Sequence, residues 1–426
     1  MAAPTTDRPL VPSTAEGTAL ASGRARRRLP TSLVIVALAL GGFGIGTTEF
    51  VSMGLLPNIA SDVGVSIPTA GYLISAYALG VVVGAPAIAV FAARVPRRRL
   101  LIVLMAAFVV GNSLTAMAPN FGLLLAARFV AGLPHGAYFG VASLVASSLV
   151  GPSKRARAVG GVMLGLSVAQ VAGVPIATVL GQQLGWRSGY LTVVVIGVIT
   201  IVGLIVVVPE VPVPHTASPR RELAAFRHKP VIVTLLIGTV GFGGVFAIYS
   251  YITPIMTHVA GMSEAQVPIV LALFGAGGVF AYSFGARFVD RSVVGSMFFC
   301  LIGAIVLFAL FPMAAHNPIT ATIVMVLIGV IGTTFVLALQ TRLMEVGGEA
   351  ESIGASMNHA SLNLANAIGA WTGGLAISLG WGWTSPALVA VVLGLAGLAI
   401  MIIGMRLQPV QRARAVAQAR REPAPC

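Results

Sequence analysis

The chain has 426 residues, 57% hydrophobic and 9% charged, with a mean hydropathy of +0.96. Soluble domains carry about 25% charged residues, so the composition excludes an ordinary soluble protein and indicates one that crosses a membrane many times. The net charge of +14 would suit nucleic acid, but the basic residues gather in loops as a topology signal, and no nucleic-acid partner is expected.

Residues 1–30 are polar, hold five arginines and have no apolar core of a signal peptide; they read as a disordered cytoplasmic tail. Apolar windows long enough to cross a bilayer then fall at 32–55, 68–91, 100–118, 121–147, 158–181 and 187–208. After them comes 209–230, "PEVPVPHTASPRRELAAFRHKP", whose Pro, Ser and charges mark a cytoplasmic linker. Six more windows follow at 231–255, 266–286, 295–314, 319–341, 354–379 and 385–405, and 406–426 is a basic cytoplasmic tail. The fold class is therefore an all-α membrane protein: twelve transmembrane helices in two six-helix bundles, 31–208 and 231–405. Of the 26 Lys and Arg, all but Arg128 and Arg187 fall at one end of these spans. The positive-inside rule makes that end cytoplasmic, with both termini, in a plasma membrane.

The two halves repeat weakly. "GGFGIG" (41–46) matches "VGFGGV" (240–245), and aligning Phe43 with Phe242 sets Glu49 opposite Ile248. Parallel repeats of this kind belong to transporters whose halves rock about a midplane site. The carboxylate has no counterpart, so the fold itself does not require it.

Glu49 is the only Asp or Glu inside a span. A charge at the bilayer centre costs about 2.5–3.5 kcal/mol on insertion scales, and such residues face a bundle interior or an aqueous cavity. Arg128 in span four lies at similar depth, roughly 10 Å below the outer surface. An ion pair or water-bridged pair would lower the cost of both, and a proton-coupling role competes with that of a structural pin. His135 lies two helical turns after Arg128 on nearly the same face, where it is either a proton relay or a packing histidine. Pro134 predicts a kink beside it.

Span five carries Gly165, Ala169, Gly173, Ala177 and Gly181 at intervals of four, with Pro175 favouring a kink; span eleven carries a shorter copy, Ser361, Ala365, Gly369 and Gly373. Such stripes let backbones approach closely, and are expected to be sliding surfaces between the halves. Polar and aromatic candidates for a substrate cavity are Tyr77, Asn112, Tyr138 and Gln170 in the first half. In the second they are Tyr249, Tyr251, Gln340, Asn358, Asn363, Asn366 and Trp371. His359 reads as a packing or gate residue.

These motifs resemble the major facilitator superfamily, in its twelve-span drug:proton antiporter group. "RFVAGLPHG" (128–136) is similar to the family's span-four motif, and "GLSVAQVAGVP" (165–175) to its antiporter motif, with Val174 interposed before Pro175. "TTEFVSMGLLP" (47–57) looks like the first span of bacterial exporters of chloramphenicol, sugars and purine nucleosides. The loop after span two, "AVFAARVPRRR" (89–99), keeps Arg94, Arg97 and Arg98 of the family motif but has Ala89, Ala93 and Pro96 where it has Gly, Asp and Gly; "GARFVDR" (285–291) keeps Asp290 and Arg291. The resemblance implies a proton-coupled antiporter exporting a small organic molecule, such as a drug, by alternating access, with Glu49 and Arg128 in coupling. Metabolite export is the alternative. A channel fits less well, and an enzyme, cofactor or metal site has no constellation to support it. The expected partners are a small-molecule substrate, protons and lipid, and the chain is expected to act as a monomer.

Overall fold

The computed structural model describes residues 30–92, 94–151, 154–211, 229–347 and 351–419. The expected N-terminal tail, most of the linker and the last residues of the C-terminal tail lie outside the described residues, which contain helices and loops but no strand. Twelve of these helices are of membrane-crossing length. The first half holds α1 (Thr31–Gly54), α2 (Ile67–Ile88), α3 (Arg97–Met117), α4 (Phe121–Ser148), α5 (Arg157–Leu184) and α6 (Trp186–Val207). The second half holds α7 (Lys229–Tyr249), α8 (Val267–Arg291), α9 (Val293–Ala314), α10 (Pro318–Gly347), α11 (Glu351–Ser378) and α12 (Ser385–Ala419). All but α11 are also apolar enough to cross a membrane. Asn358, His359, Asn363 and Asn366 make α11 the exception, and it is packed against α2, α7 and α12. The last helix passes the expected end at 405, because the Ala, Arg and Gln that follow are good helix formers.

Breaks in the helices fall where the sequence denies a backbone bond. α4 divides into Phe121–Gly132 and His135–Ser148 around Pro134, as its missing N–H predicts. In α5 a π turn at Ala169–Gly173 precedes Pro175; such bulges absorb an interrupted ladder and recur at functional sites. α7 breaks at Phe242 and resumes as Gly243–Tyr249.

The glycine stripes do not lie between the halves, which corrects that expectation. A side chain at Gly165 would strike the Ala39 carbonyl, at Gly173 the Thr47 hydroxyl, and at Gly181 the Leu55 side chain, all on or just beyond α1. The stripe, with Pro175 at its bend, therefore seats α5 on α1 within one half. Gly369 likewise meets the Gly243 carbonyl of α7, its own half. The close approach between α5 and α8 is instead made by Gly275, whose added Cβ would lie 2.7 Å from the Gln170 backbone.

Hydrogen bonds between the halves gather at the end opposite the arginine loops. Thr253 donates to the carbonyls of Met53 and Gly54, each at 3.0 Å. Ser75 donates to the Ala367 carbonyl at 3.0 Å, Asn58 to the Glu264 carboxylate at 3.2 Å, and Gln182 to the Glu264 carbonyl at 3.0 Å. At the basic end, Arg98 donates to the Ile205 carbonyl and lies 3.6 Å from Glu210. Arg98 thus ties α3 to the end of α6. Arg94, Asp290 and Arg291 are exposed there and make no ion pair among the described residues, while Arg97 opens α3.

Asp62, at the closed end, accepts from the Trp186 indole at 2.9 Å and from Arg187 at 2.6 Å. These donors, the indole first, hold its carboxyl below the usual aspartate range. Its stabilising contribution is therefore present above the unperturbed aspartate value of about 3.9 and is lost as pH falls through the lower folded value. Because the pair is half exposed, salt screens it. Asp62→Asn is expected to lower the thermal midpoint at neutral pH, with the difference closing in acid and shrinking in high salt. A difference independent of both would refute the assignment.

Candidate functional site

α1 turns consecutive residues in different directions. Thr48 faces α3 and α4, where its hydroxyl donates to Asn112 Oδ1 at 2.5 Å and accepts from Arg128 at 3.1 Å. Arg128 also donates to the Thr48 carbonyl at 3.2 Å, and its guanidinium lies 4.3 Å from the Tyr77 ring centre and 5.4 Å from that of Tyr190. The arginine is fully buried, with Nε lacking a partner. Glu49, one residue on, faces the space between the halves.

That space is a cavity of about 1310 Å³, running from Glu49 and Phe50 to Ser147, Arg155 and Met344 at the basic end. Glu49 is 5% exposed, through this cavity. No ion pair within 4.0 Å joins it to Arg128 among the described residues, so the direct pair weighed from matched depth is not formed. Thr48, about 100° around the helix from Glu49, binds the guanidinium instead. Asn366 of α11 stands beside the Glu49 carboxyl without meeting hydrogen-bond geometry.

Two surfaces adjoin Glu49. One is aromatic: Phe50 lies 6.5 Å from Phe246 and 5.9 Å from Tyr249, and Tyr249 stacks on Phe274 at 4.4 Å. The other is the polar face of α11. Asn358 Oδ1, Asn363 Oδ1 and both polar atoms of Asn366 are buried without a protein partner. Buried polar groups are nearly always hydrogen-bonded in native proteins, so the unpartnered amide oxygens of Asn358 and Asn363 at the cavity mark where a ligand or water bonds. Cavities of this kind, mostly apolar with a few convergent polar groups, suit small organic molecules.

The structure brings Glu49, Gln170, Tyr249, Gln340, Asn358 and Asn363 to the cavity wall, with Asn366 just behind. It does not bring the others there, against expectation. Tyr77 lies beneath Arg128 and bonds to His135 at 3.1 Å. Asn112 is consumed by Thr48 and by the Phe108 carbonyl. Tyr138 donates to the Leu38 carbonyl at 2.9 Å. Tyr251 donates to the Ala370 carbonyl at 2.8 Å. Trp371 is half exposed on the outside of α11, in line with Leu375 and Leu379. Sequence reasoning missed Thr48, although the polar run Thr47-Thr48-Glu49 signalled it. It also missed Phe50, Phe246 and Phe274, which look like any other apolar residue of a span.

The Thr48 contacts make a sharp prediction. Thr48→Val keeps the side-chain shape but leaves Asn112 Oδ1 and one Arg128 N–H unpaired. Each buried group left unsatisfied costs about 1–3 kcal/mol, so thermal unfolding in detergent should show a clear loss of stability, with Thr48→Ser restoring it. An unchanged midpoint would show that the hydroxyl does not bind the guanidinium.

A family model for the Major Facilitator Superfamily matches residues 38–358. The inner membrane transport protein YdhP of Escherichia coli K12 is 41% identical over 88% of this chain and 96% of its own length. A chloramphenicol resistance protein of Streptomyces lividans is 32% identical over 85% of this chain and 94% of its own. Among solved structures, a D-xylose-proton symporter superposes with a TM-score of 0.69, covering 87% of this chain and 96% of the other at 14% identity. That likeness concerns the fold alone. The twelve-helix architecture, the extent of the family match and the two relatives agree: this chain belongs to the Major Facilitator Superfamily of membrane transporters.

Proposed function

We propose that this transporter is a proton-coupled antiporter that exports a small organic molecule by alternating access, with Glu49 as the proton carrier. The observation that carries this reading is the position of the Glu49 carboxyl. Among the described residues it is the one carboxylate that lies away from the ends of the membrane-crossing helices, it faces the cavity between the halves, and it has no ion-pair partner. A carboxyl so placed gains or loses a proton without breaking a salt bridge. Arg128 supports it at a distance, through Thr48, and supplies positive potential without neutralising it.

With the basic end cytoplasmic, the cavity faces the cytoplasm and the hydrogen-bonded end is the closed outer gate. Substrate enters from the cytoplasm, with its apolar part against Phe50, Phe246, Tyr249 and Phe274 and its polar groups toward Gln170, Gln340, Asn358, Asn363 and Asn366. The homologous chloramphenicol resistance protein favours an antibiotic-like drug as cargo. The unpartnered amides of α11 equally suit a hydroxyl-rich metabolite, a sugar or a purine nucleoside, which is the second reading.

The test is a panel of drugs, sugars and nucleosides applied to proteoliposomes with an imposed pH gradient. Saturable export of one compound class, abolished by a protonophore, is the expected result. Transport that proceeds at the same rate without the gradient, or without saturation, would exclude the antiporter reading.

A further inference from the structure

Glu49 accounts for the uptake of a proton and leaves its exit unassigned. Resting on the antiporter reading, we propose that His359 of α11 and His135 of α4 form a second proton-binding site, shared between the halves, through which the proton leaves toward the basic end.

The pair is built from both halves. His135 is 1% exposed, and its Nδ1 lies 3.1 Å from the Tyr77 hydroxyl. Its Nε2 is buried with no protein partner. In the tautomer where His135 Nδ1 accepts from the Tyr77 hydroxyl, the hydrogen sits on the unpartnered Nε2. The His359 ring lies 5.9 Å away between centres. At that separation a small ring rotation, or one water, completes a hydrogen bond between the imidazoles. His359 is also stacked on Phe139 of α4, 4.9 Å between centres and 2° from parallel. The parallel stack on Phe139 therefore fixes the plane of the His359 ring.

Few other ionisable groups surround the pair. Tyr77 faces it from α2, and Arg128 stands beyond Tyr77. Tyr138 turns its hydroxyl away, to the Leu38 carbonyl of α1. Glu49, Arg155, Tyr249 and Tyr282 share the cavity with His359, from α1, the helical turn just before α5, α7 and α8. No carboxylate lies within ion-pair distance of either imidazole among the described residues. The pair therefore has no fixed counter-charge, and its charge state follows the proton alone.

Glu49 and His359 both line the cavity, so a proton released by the carboxyl reaches the imidazole without crossing packed apolar side chains. One imidazole takes it as imidazolium and returns it to the cavity at the basic end. Two protons would set like charges one ring contact apart, so the pair holds one. Because His135 and His359 belong to different halves, the site exists only while α4 and α11 are in contact.

The experiment is a pH titration of the full-length protein in nanodiscs from about pH 3 to about pH 9, wide enough for buried imidazoles and carboxyls displaced from their ordinary values. Spin labels at Ser147→Cys and Met344→Cys, on a Cys300→Ser, Cys426→Ser background, report the distance across the cavity mouth. The wild type is expected to show two pH-dependent steps. Glu49→Gln should remove one; His359→Gln and His135→Gln should each remove the other. His359→Phe, which keeps the stack on Phe139, should behave as His359→Gln and so separates protonation from packing. Two steps surviving in His359→Gln or in His359→Phe would overturn the proposal while leaving the Glu49 reading intact. Loss of a step in the histidine variants, with none lost in Glu49→Gln, would support the pair and remove Glu49 as carrier.

Discussion

Glu49→Gln is expected to abolish proton-driven accumulation while leaving downhill exchange in place. Glutamine matches the carboxyl in shape and keeps its contacts with Phe50 and the cavity, but it carries no proton. The cavity, its aromatic wall and the amides of α11 are untouched, so substrate should still bind and cross. What disappears is the link to the gradient. Export of a neutral molecule against one incoming proton moves one charge, worth about 2.3 kcal/mol at 100 mV. At about 1.4 kcal/mol per tenfold, that sustains a concentration ratio of roughly 40-fold, which the variant should reduce to unity. Counterflow, in which labelled substrate exchanges for unlabelled substrate with no gradient, should persist within a few-fold of wild type. A variant that still builds the full ratio would remove Glu49 from coupling. One that loses counterflow as well would make the carboxylate a substrate contact.

The architecture was legible from hydropathy and loop charge because a bilayer leaves the backbone few choices. The break at Pro134 was equally legible. The site was legible only in part, and particular residues show why. Depth along a helix follows from residue count, so Glu49 and Arg128 were rightly set at one level. Direction around the helix depends on which neighbours pack there, and this put Thr48, not Glu49, against the guanidinium. Tyr77, Asn112 and Tyr138 are polar residues in apolar helices just as Tyr249 and Asn363 are. Only the packing shows that the first three are consumed by bonds within their own half, while the latter two face the cavity. Phenylalanines carry the least signal of all, since lipid, core and cavity accept them alike. Phe50 and Phe246 at the cavity and Phe299, 66% exposed on the outer surface, cannot be told apart by type. A small-residue stripe likewise says that a backbone comes close, but not whose; for α5 it was that of α1.

Arg128→Met is expected to raise the unfolding midpoint and end coupled transport together. A fully buried guanidinium with no carboxylate in contact bears a desolvation cost that its hydrogen bonds to Thr48 and its contacts with Tyr77 and Tyr190 only partly offset. Replacing a whole buried ion pair or triad by well-packed apolar residues is often neutral or stabilising by about 1–4 kcal/mol, and a buried guanidinium with no carboxylate in contact bears the desolvation cost without that Coulombic return. Met suits this site because its flexible thioether fills irregular space and packs favourably on aromatic rings. Few groups would be stranded, since the Thr48 hydroxyl keeps Asn112 as its acceptor. Function should fail for a separate reason. Without the positive potential behind α1, the Glu49 carboxylate has no support in its charged form, so proton release loses its driving interaction. Thermal unfolding in detergent and gradient-driven export, measured on the same preparation, decide the matter. A loss of about 3–5 kcal/mol, the cost of breaking a buried charge from a true partner, would instead make Arg128 a structural pin. Gain of stability with loss of export would mean that the arginine is held at an energetic cost, and that coupling is what the cost sustains.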